Sequence, residues 1–126
     1  MDCLFCKIAS KEIPAYIIYE DEKTLGFLDI KPLALGHTVI IPKTHAESIL
    51  DLNDELITTV FGAVKKMTGI LKKVFGPEGF TIGINQGKTA GGDHLHIHII
   101  PRGENDGGGS IHTVVLNPPK ESLESI

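Results

Sequence analysis

Short β-type runs open the chain. Residues 15–19 and 24–28 are separated by the polar Glu20-Asp21-Glu22-Lys23, the pattern of a hairpin. After a loop punctuated by Pro32 and Gly36, residues 37–41 read as a third strand that Pro42 closes. The period then lengthens. Leu56, Val60, Val64, Met67, Leu71 and Val74 recur at spacings of three and four, one stripe of an amphipathic helix. Asn53 is its expected N-cap, Asp54 and Glu55 suit the positive end of the helix dipole, and Gly76-Pro77 stops it. A shorter helical turn is expected over residues 46–50. Strand patterns return at residues 80–84 and 94–100, the latter closed by Pro101, with a loop at 85–93 between them. One long helix between the third and fourth strands predicts an α+β fold: an antiparallel meander of about five strands with short helices beside the long one. The domain is expected to span residues 1–104. Residues 105–126, with Gly107-Gly108-Gly109 and Asn117-Pro118-Pro119, form a tail that packs on it or extends it.

A chain of 126 residues fits one such domain and buries roughly two-thirds of its unfolded surface. Hydrophobic residues at 41% and charged residues at 22% are a globular balance. No apolar run approaches the roughly 20 residues that cross a bilayer, and the N-terminus lacks the basic flank and apolar stretch of a signal peptide. The expectation is a cytoplasmic protein with no membrane partner. The net charge of −4 argues against a nucleic-acid partner, because gripping a phosphate backbone needs clustered cations. Only Lys65-Lys66 and Lys72-Lys73 are adjacent, and both read as a solvated helix face. A small phosphorylated ligand stays compatible with that charge.

Candidate chemistry concentrates in His94-Leu95-His96-Ile97-His98. Alternation along a strand would put the three imidazoles on one solvated face and Leu95, Ile97 and Ile99 in the core. Histidine serves as nucleophile, proton donor and metal ligand near neutral pH, so phosphate chemistry and metal binding both remain open. Cys3-x-x-Cys6 is open in the same way: redox-active, inert, or half of a zinc site. His37 reads as a strand residue, and neither it nor His112 is given a role.

The string from His94 to Pro101-Arg102 resembles the histidine-triad family, in which three histidines alternate with apolar residues. The segment Gly36-His-Thr-Val-Ile-Ile-Pro-Lys-Thr-His45 resembles it too, as do Phe27-Leu-Asp-Ile30 and the opening Cys3-Leu-Phe-Cys6-Lys-Ile with Ile13-Pro14. The likeness covers residues 3–102, in order, and is nearest to the Hint-like prokaryotic branch with an N-terminal Cys-x-x-Cys.

This resemblance implies a hydrolase or transferase that cleaves nucleoside monophosphate–X substrates at the α-phosphate, an adenosine phosphoramidase or dinucleoside polyphosphate hydrolase. His96 would be the nucleophile, passing through a nucleotidyl-histidine, and His98 would donate to a phosphate oxygen or the leaving group. Asp29 would hold the ribose and Asn85 the phosphate side. Gly91 and Gly92 would offer backbone N–H groups to the anion. The implied ligand is a purine nucleotide such as AMP or an adenylate, and the implied assembly is a homodimer. The branch also implies a structural zinc held by Cys3, Cys6, His45 and His94, with no organic cofactor. The loop Asn85-Gln-Gly-Lys-Thr-Ala-Gly-Gly-Asp93 departs from the family pattern: it is shorter and lacks the usual glutamine, which bears on rate and substrate preference. Two other readings compete. One is a nucleotide-binding scaffold with little turnover; the other is a metal-dependent enzyme with its ion on His94, His96 and His98.

Overall fold

The computed structural model describes residues 3–87 and 93–126. Five strands form one antiparallel sheet: β1 (Ile17–Glu20), β2 (Thr24–Leu28), β3 (Thr38–Pro42), β4 (Gly79–Ile84) and β5 (Ile97–Arg102). Their order is β1-β2-β3-β5-β4. The α+β sheet with one long helix is as expected, but the order is not a consecutive meander. The chain crosses over in the helix, lays β4 at the edge, and returns β5 into the gap beside β3.

The long helix α2 (Asp54–Phe75) starts where the Asn53 side chain accepts the Leu56 N–H at 2.8 Å. It ends at Gly76, whose φ of 58° is the left-handed conformation that glycine adopts without a Cβ penalty. Val60, Ala63, Val64, Met67 and Leu71 pack against Ile40, Ile97 and Ile99 on one sheet face. Val74, expected in that stripe, is 65% exposed.

The opposite face is covered as well. A short helix, α1 (Leu4–Ala9), is capped by Cys3, whose sulfur accepts the Cys6 N–H at 3.4 Å. Ile8 of α1 joins Leu25, Phe27, Val39 and Ile41 in a second core, with Phe5 and Ala9 packed on it. The short turn expected over 46–50 is a 3-10 turn at Ile49–Asp51, with Ser48 and Asp51 closing a reciprocal cap. In the tail, 3-10 turns span Ile111–Thr113 and Leu123–Ser125.

Pro101 lies inside β5 opposite Phe80 instead of ending it. β3 pairs with β5 only as far as Ile99, so a missing donor beyond that point costs no bond on that side.

Candidate active site and metal centre

The histidine segment is not a solvated face. His94 is 1% exposed and His96 8%, because α1 closes over them. The ordered strand begins only at Ile97. Leu95 instead donates its N–H to the Ala46 carbonyl at 2.6 Å, which turns His94 toward the N-terminus. There the Nδ1 of His94 lies 3.1 Å from Cys3 Sγ, 3.5 Å from Cys6 Sγ and 3.1 Å from the Nδ1 of His45. The Nδ1 of His45 is 3.3 Å from Cys6 Sγ. All four donor atoms lie within 4.8 Å of one another.

This donor set fits zinc. Tetrahedral bonds of about 2.0–2.3 Å put ligand atoms about 3.3–3.8 Å apart, close to the spacings here. Ligation needs neutral imidazole, and burial pushes His94 down to about 4. Burial raises the Cys6 thiol, and Cys3 beside it raises it further, a repulsion between sulfurs that a divalent cation relieves.

The other two histidines are oriented by hydrogen bonds that fix their tautomers. His96 Nδ1 lies 2.7 Å from the His94 carbonyl. A carbonyl only accepts, so Nδ1 carries the proton and Nε2 has a free lone pair. Phe5 stacks on the same ring at 4.5 Å and 22°, which holds its plane. His98 is governed from further away. The Leu33 N–H donates to His37 Nδ1 at 3.1 Å, so His37 carries its proton on Nε2. That Nε2–H donates to His98 Nδ1 at 2.9 Å, which leaves the His98 proton on Nε2. The His96 and His98 rings sit edge to face at 5.0 Å. One imidazole thus presents a lone pair and its neighbour an N–H.

His37 is the residue that sequence reading missed. It is 2% exposed and stands at the entrance to a wholly buried strand. A buried imidazole needs partners, so its place beside buried apolar positions was the available signal. Asp29 combines two environments. One oxygen accepts the Lys31 N–H at 2.9 Å in a turn; the other lies 3.5 Å from His37 Nε2 and 3.9 Å from His98 Nδ1. Asp29, His37 and His98 therefore form a second cluster of potential ligands. The Leu33 N–H argues against an ion there, because it occupies the Nδ1 lone pair and so keeps a proton on the ligating Nε2.

The donors of His94, His96 and His98 face three different partners and do not converge, so the expected alternative of a catalytic ion on these three has no geometry behind it. Asn85 is exposed beyond β4, near His98. Gly91 and Gly92 lie outside the described residues.

Burial lowers the pKa of both His37 and His98, with Asp29 opposing it in each case. Folded-state values below the ordinary 6.5 mean that the unfolded chain takes protons first. This pair therefore contributes stability that is complete above 6.5 and lost as pH falls below it. NMR titration of the ring protons should give midpoints below 6.5 for both residues. A His98 midpoint at or above that value contradicts the neutral relay.

The fold and site together define a small α+β protein with a histidine pair at the start of β5 beside a Cys2His2 cluster. The HIT domain model matches residues 10–105, and the chain belongs to the HIT family. It is similar to a HIT family protein of Bacillus subtilis, whose crystal structure superposes with a TM-score of 0.82 at 44% identity, over 88% of this chain and 81% of that one. A zinc-bound histidine triad family protein from Mycobacterium smegmatis matches with a TM-score of 0.77 at 38% identity, over 84% and 78%. The adenosine 5'-monophosphoramidase hnt1 of Schizosaccharomyces pombe is 41% identical over 104 residues, covering 81% of this chain and 75% of the relative.

Proposed function

We propose that this protein hydrolyses nucleoside monophosphate–X compounds, adenosine 5'-phosphoramidates foremost, through a nucleotidyl-His96 intermediate. The observation that carries the reading is the tautomer pair: a bare Nε2 on His96 beside an Nε2–H on His98. The His96 lone pair attacks the α-phosphorus, the N–P bond forms, and the P–X bond breaks with its electron pair leaving on X. Positive charge then develops on the His96 ring, and the bond from its Nδ1–H to the His94 carbonyl strengthens. His98 Nε2–H donates to a phosphate oxygen or to the departing atom as charge builds there. Water cleaves the N–P bond in a second step, releasing the monophosphate and restoring His96. Asp29 serves the ribose hydroxyls and Asn85 the phosphate side. The phosphoramidase named among the relatives supports the substrate class.

The test is turnover of adenosine 5'-phosphoramidate to AMP by the purified protein with chelator present, together with mass spectrometry of the quenched enzyme. An adenylyl group on His96 is expected. AMP binding with no turnover would favour the scaffold reading instead.

The Cys3, Cys6, His45 and His94 cluster would hold zinc as a closed, structural site, a reading the zinc-bound relative supports. Among the described residues, no helix is long and apolar enough to cross a membrane. A cytoplasmic setting suits a Cys-x-x-Cys pair that must stay reduced to ligate.

We also infer a homodimer. β4 is a sheet edge carrying exposed Ile82, and α2 exposes Phe61 on one flank of its buried stripe and Ile70 on the other. A second copy would cover the β4 edge together with the helix flank nearest it. Sedimentation at micromolar concentration should report twice the chain mass, and a monomer would refute the inference.

A further inference from the structure

The two thiols of the Cys2His2 cluster are placed for a chemistry that metal ligation does not use. Cys3 is the N-cap of α1 and Cys6 its third residue, one helical turn further on. Helix geometry puts the Cα atoms of such a pair about 5 Å apart. A disulfide needs about 4.4–6.8 Å, so the bond can form without moving the backbone. The two sulfurs already lie within 4.8 Å of one another. Access to them is graded. Both cysteines are half-buried, whereas His94 behind them is 1% exposed. Cys6 is on the more open side of the cluster and Cys3 lies deeper within it. A small oxidant entering from solvent meets Cys6 with Cys3 behind it.

What the sulfurs hold in place matters for the chemistry beside them. α1 is only six residues long. It is fixed over the sheet by the packing of Phe5 and Ile8 and by its two sulfurs. Cys3 Sγ lies 3.1 Å from His94 Nδ1, and Cys6 Sγ 3.3 Å from His45 Nδ1. The thiolate, and not the disulfide, is the metal ligand, so joining the sulfurs leaves two imidazoles of a four-ligand set. α1 then keeps only its apolar contacts. Phe5, stacked on the His96 ring at 4.5 Å, loses the frame on either side of it.

We propose that Cys3 and Cys6 are an oxidative modification site: a hydroperoxide converts them to a disulfide, which expels the zinc and loosens α1 from His96. The inference rests on the zinc reading of the cluster. The Cys6 thiolate attacks one oxygen of the hydroperoxide, an S–O bond forms, and the O–O bond breaks; the departing oxygen takes a proton from water. The Cys3 thiolate then attacks the sulfur of this sulfenic acid. The S–S bond forms, and the S–O bond breaks with loss of hydroxide, which is protonated to water. The two sulfurs together give up two electrons and the hydroperoxide accepts them. Zinc leaves as the divalent ion it was.

The experiment titrates the zinc-loaded, full-length protein with hydrogen peroxide, while a chromophoric chelator reports free zinc and mass spectrometry reports the protein. An intramolecular Cys3–Cys6 disulfide is expected, with zinc released in proportion to it. Amide hydrogen exchange in α1 should speed up by about tenfold or more, with α2 unchanged. The His96 ring protons should move downfield as the Phe5 ring current is lost. Dithiothreitol with added zinc should reverse all of these changes. In Cys3→Ser the resolving thiol is gone, so dimedone should trap the sulfenic acid on Cys6, whereas the wild type should give no adduct. Zinc-loaded protein that keeps both thiols in excess peroxide, or that cross-links between chains instead, overturns the site. A disulfide that leaves α1 exchange and the His96 shifts unchanged overturns its link to His96. If the reduced protein takes up no zinc, the zinc reading falls by itself. The thiol pair is then judged by the disulfide and the dimedone adduct, and the absence of either overturns it independently.

Discussion

Replacing His96 with alanine is expected to lower kcat for adenosine 5'-phosphoramidate by a factor of about 10⁴ or more, with AMP affinity held within about tenfold. The asymmetry follows from where His96 sits. Its Nε2 is the lone pair the hydrogen bonds leave free, and neither neighbouring imidazole can replace it. His94 is turned to the cysteines, and His98 carries its proton on the corresponding nitrogen. In the proposed complex the ground-state contacts would, by contrast, be divided among Asp29, Asn85 and His98, so binding is expected to survive. Single-turnover kinetics and calorimetry on the same preparation measure the two quantities. The variant should also yield no adenylylated enzyme after quenching. A nucleotidyl group trapped on another residue, or a kcat loss below about tenfold, would sink the assignment.

The parts of this molecule set by local rules were readable from the chain. α2 runs from the Asn53 cap to the left-handed Gly76, and β2 spans the residues its pattern marks, because neighbours in sequence decide both. The parts set by tertiary contact were not. Patterning says that β4 and β5 are strands, but not that the helix crossover places β5 between β3 and β4. Alternation predicted a strand from His94, whereas the Ala46 carbonyl and the cysteines draw His94 and Leu95 out of the ladder. The expectation of a solvated histidine face failed for a related reason. Its cover, α1, is six residues long, too short to show a periodic stripe. His37 escaped because its meaning lies in His98, sixty-one positions away, and in the Leu33 N–H. The metal cluster joins residues 3, 6, 45 and 94, a separation no local motif spans beyond Cys3-x-x-Cys6, and only family resemblance proposed it beforehand.

Changing both Cys3 and Cys6 to serine should remove one zinc per chain and lower Tm by about 5–10 °C, as a loss of roughly 1–3 kcal/mol does in a domain this size. The stability argument is topological. The four residues that would ligate it come from the start of α1, the segment after β3 and the approach to β5, so the ion would tie the N-terminus across the sheet face it covers. Two thiolates and two neutral imidazoles would complete a four-ligand site, which would make the ion a brace. Its ligands must lose protons to bind, so acid should release it as a chelator does. The brace nevertheless adjoins the chemistry. His94 would ligate through Nδ1 while its carbonyl holds the His96 proton, and Phe5, between the two cysteines in sequence, stacks on the His96 ring. Loss of the ion should therefore reduce kcat per folded molecule by a few-fold through a looser nucleophile, while activity persists. Elemental analysis, thermal melts and kcat normalised to folded protein measure the three effects. Protein purified without chelator that contains no zinc would end the proposal. Complete loss of turnover in a folded, zinc-free protein would instead assign the ion to the reaction.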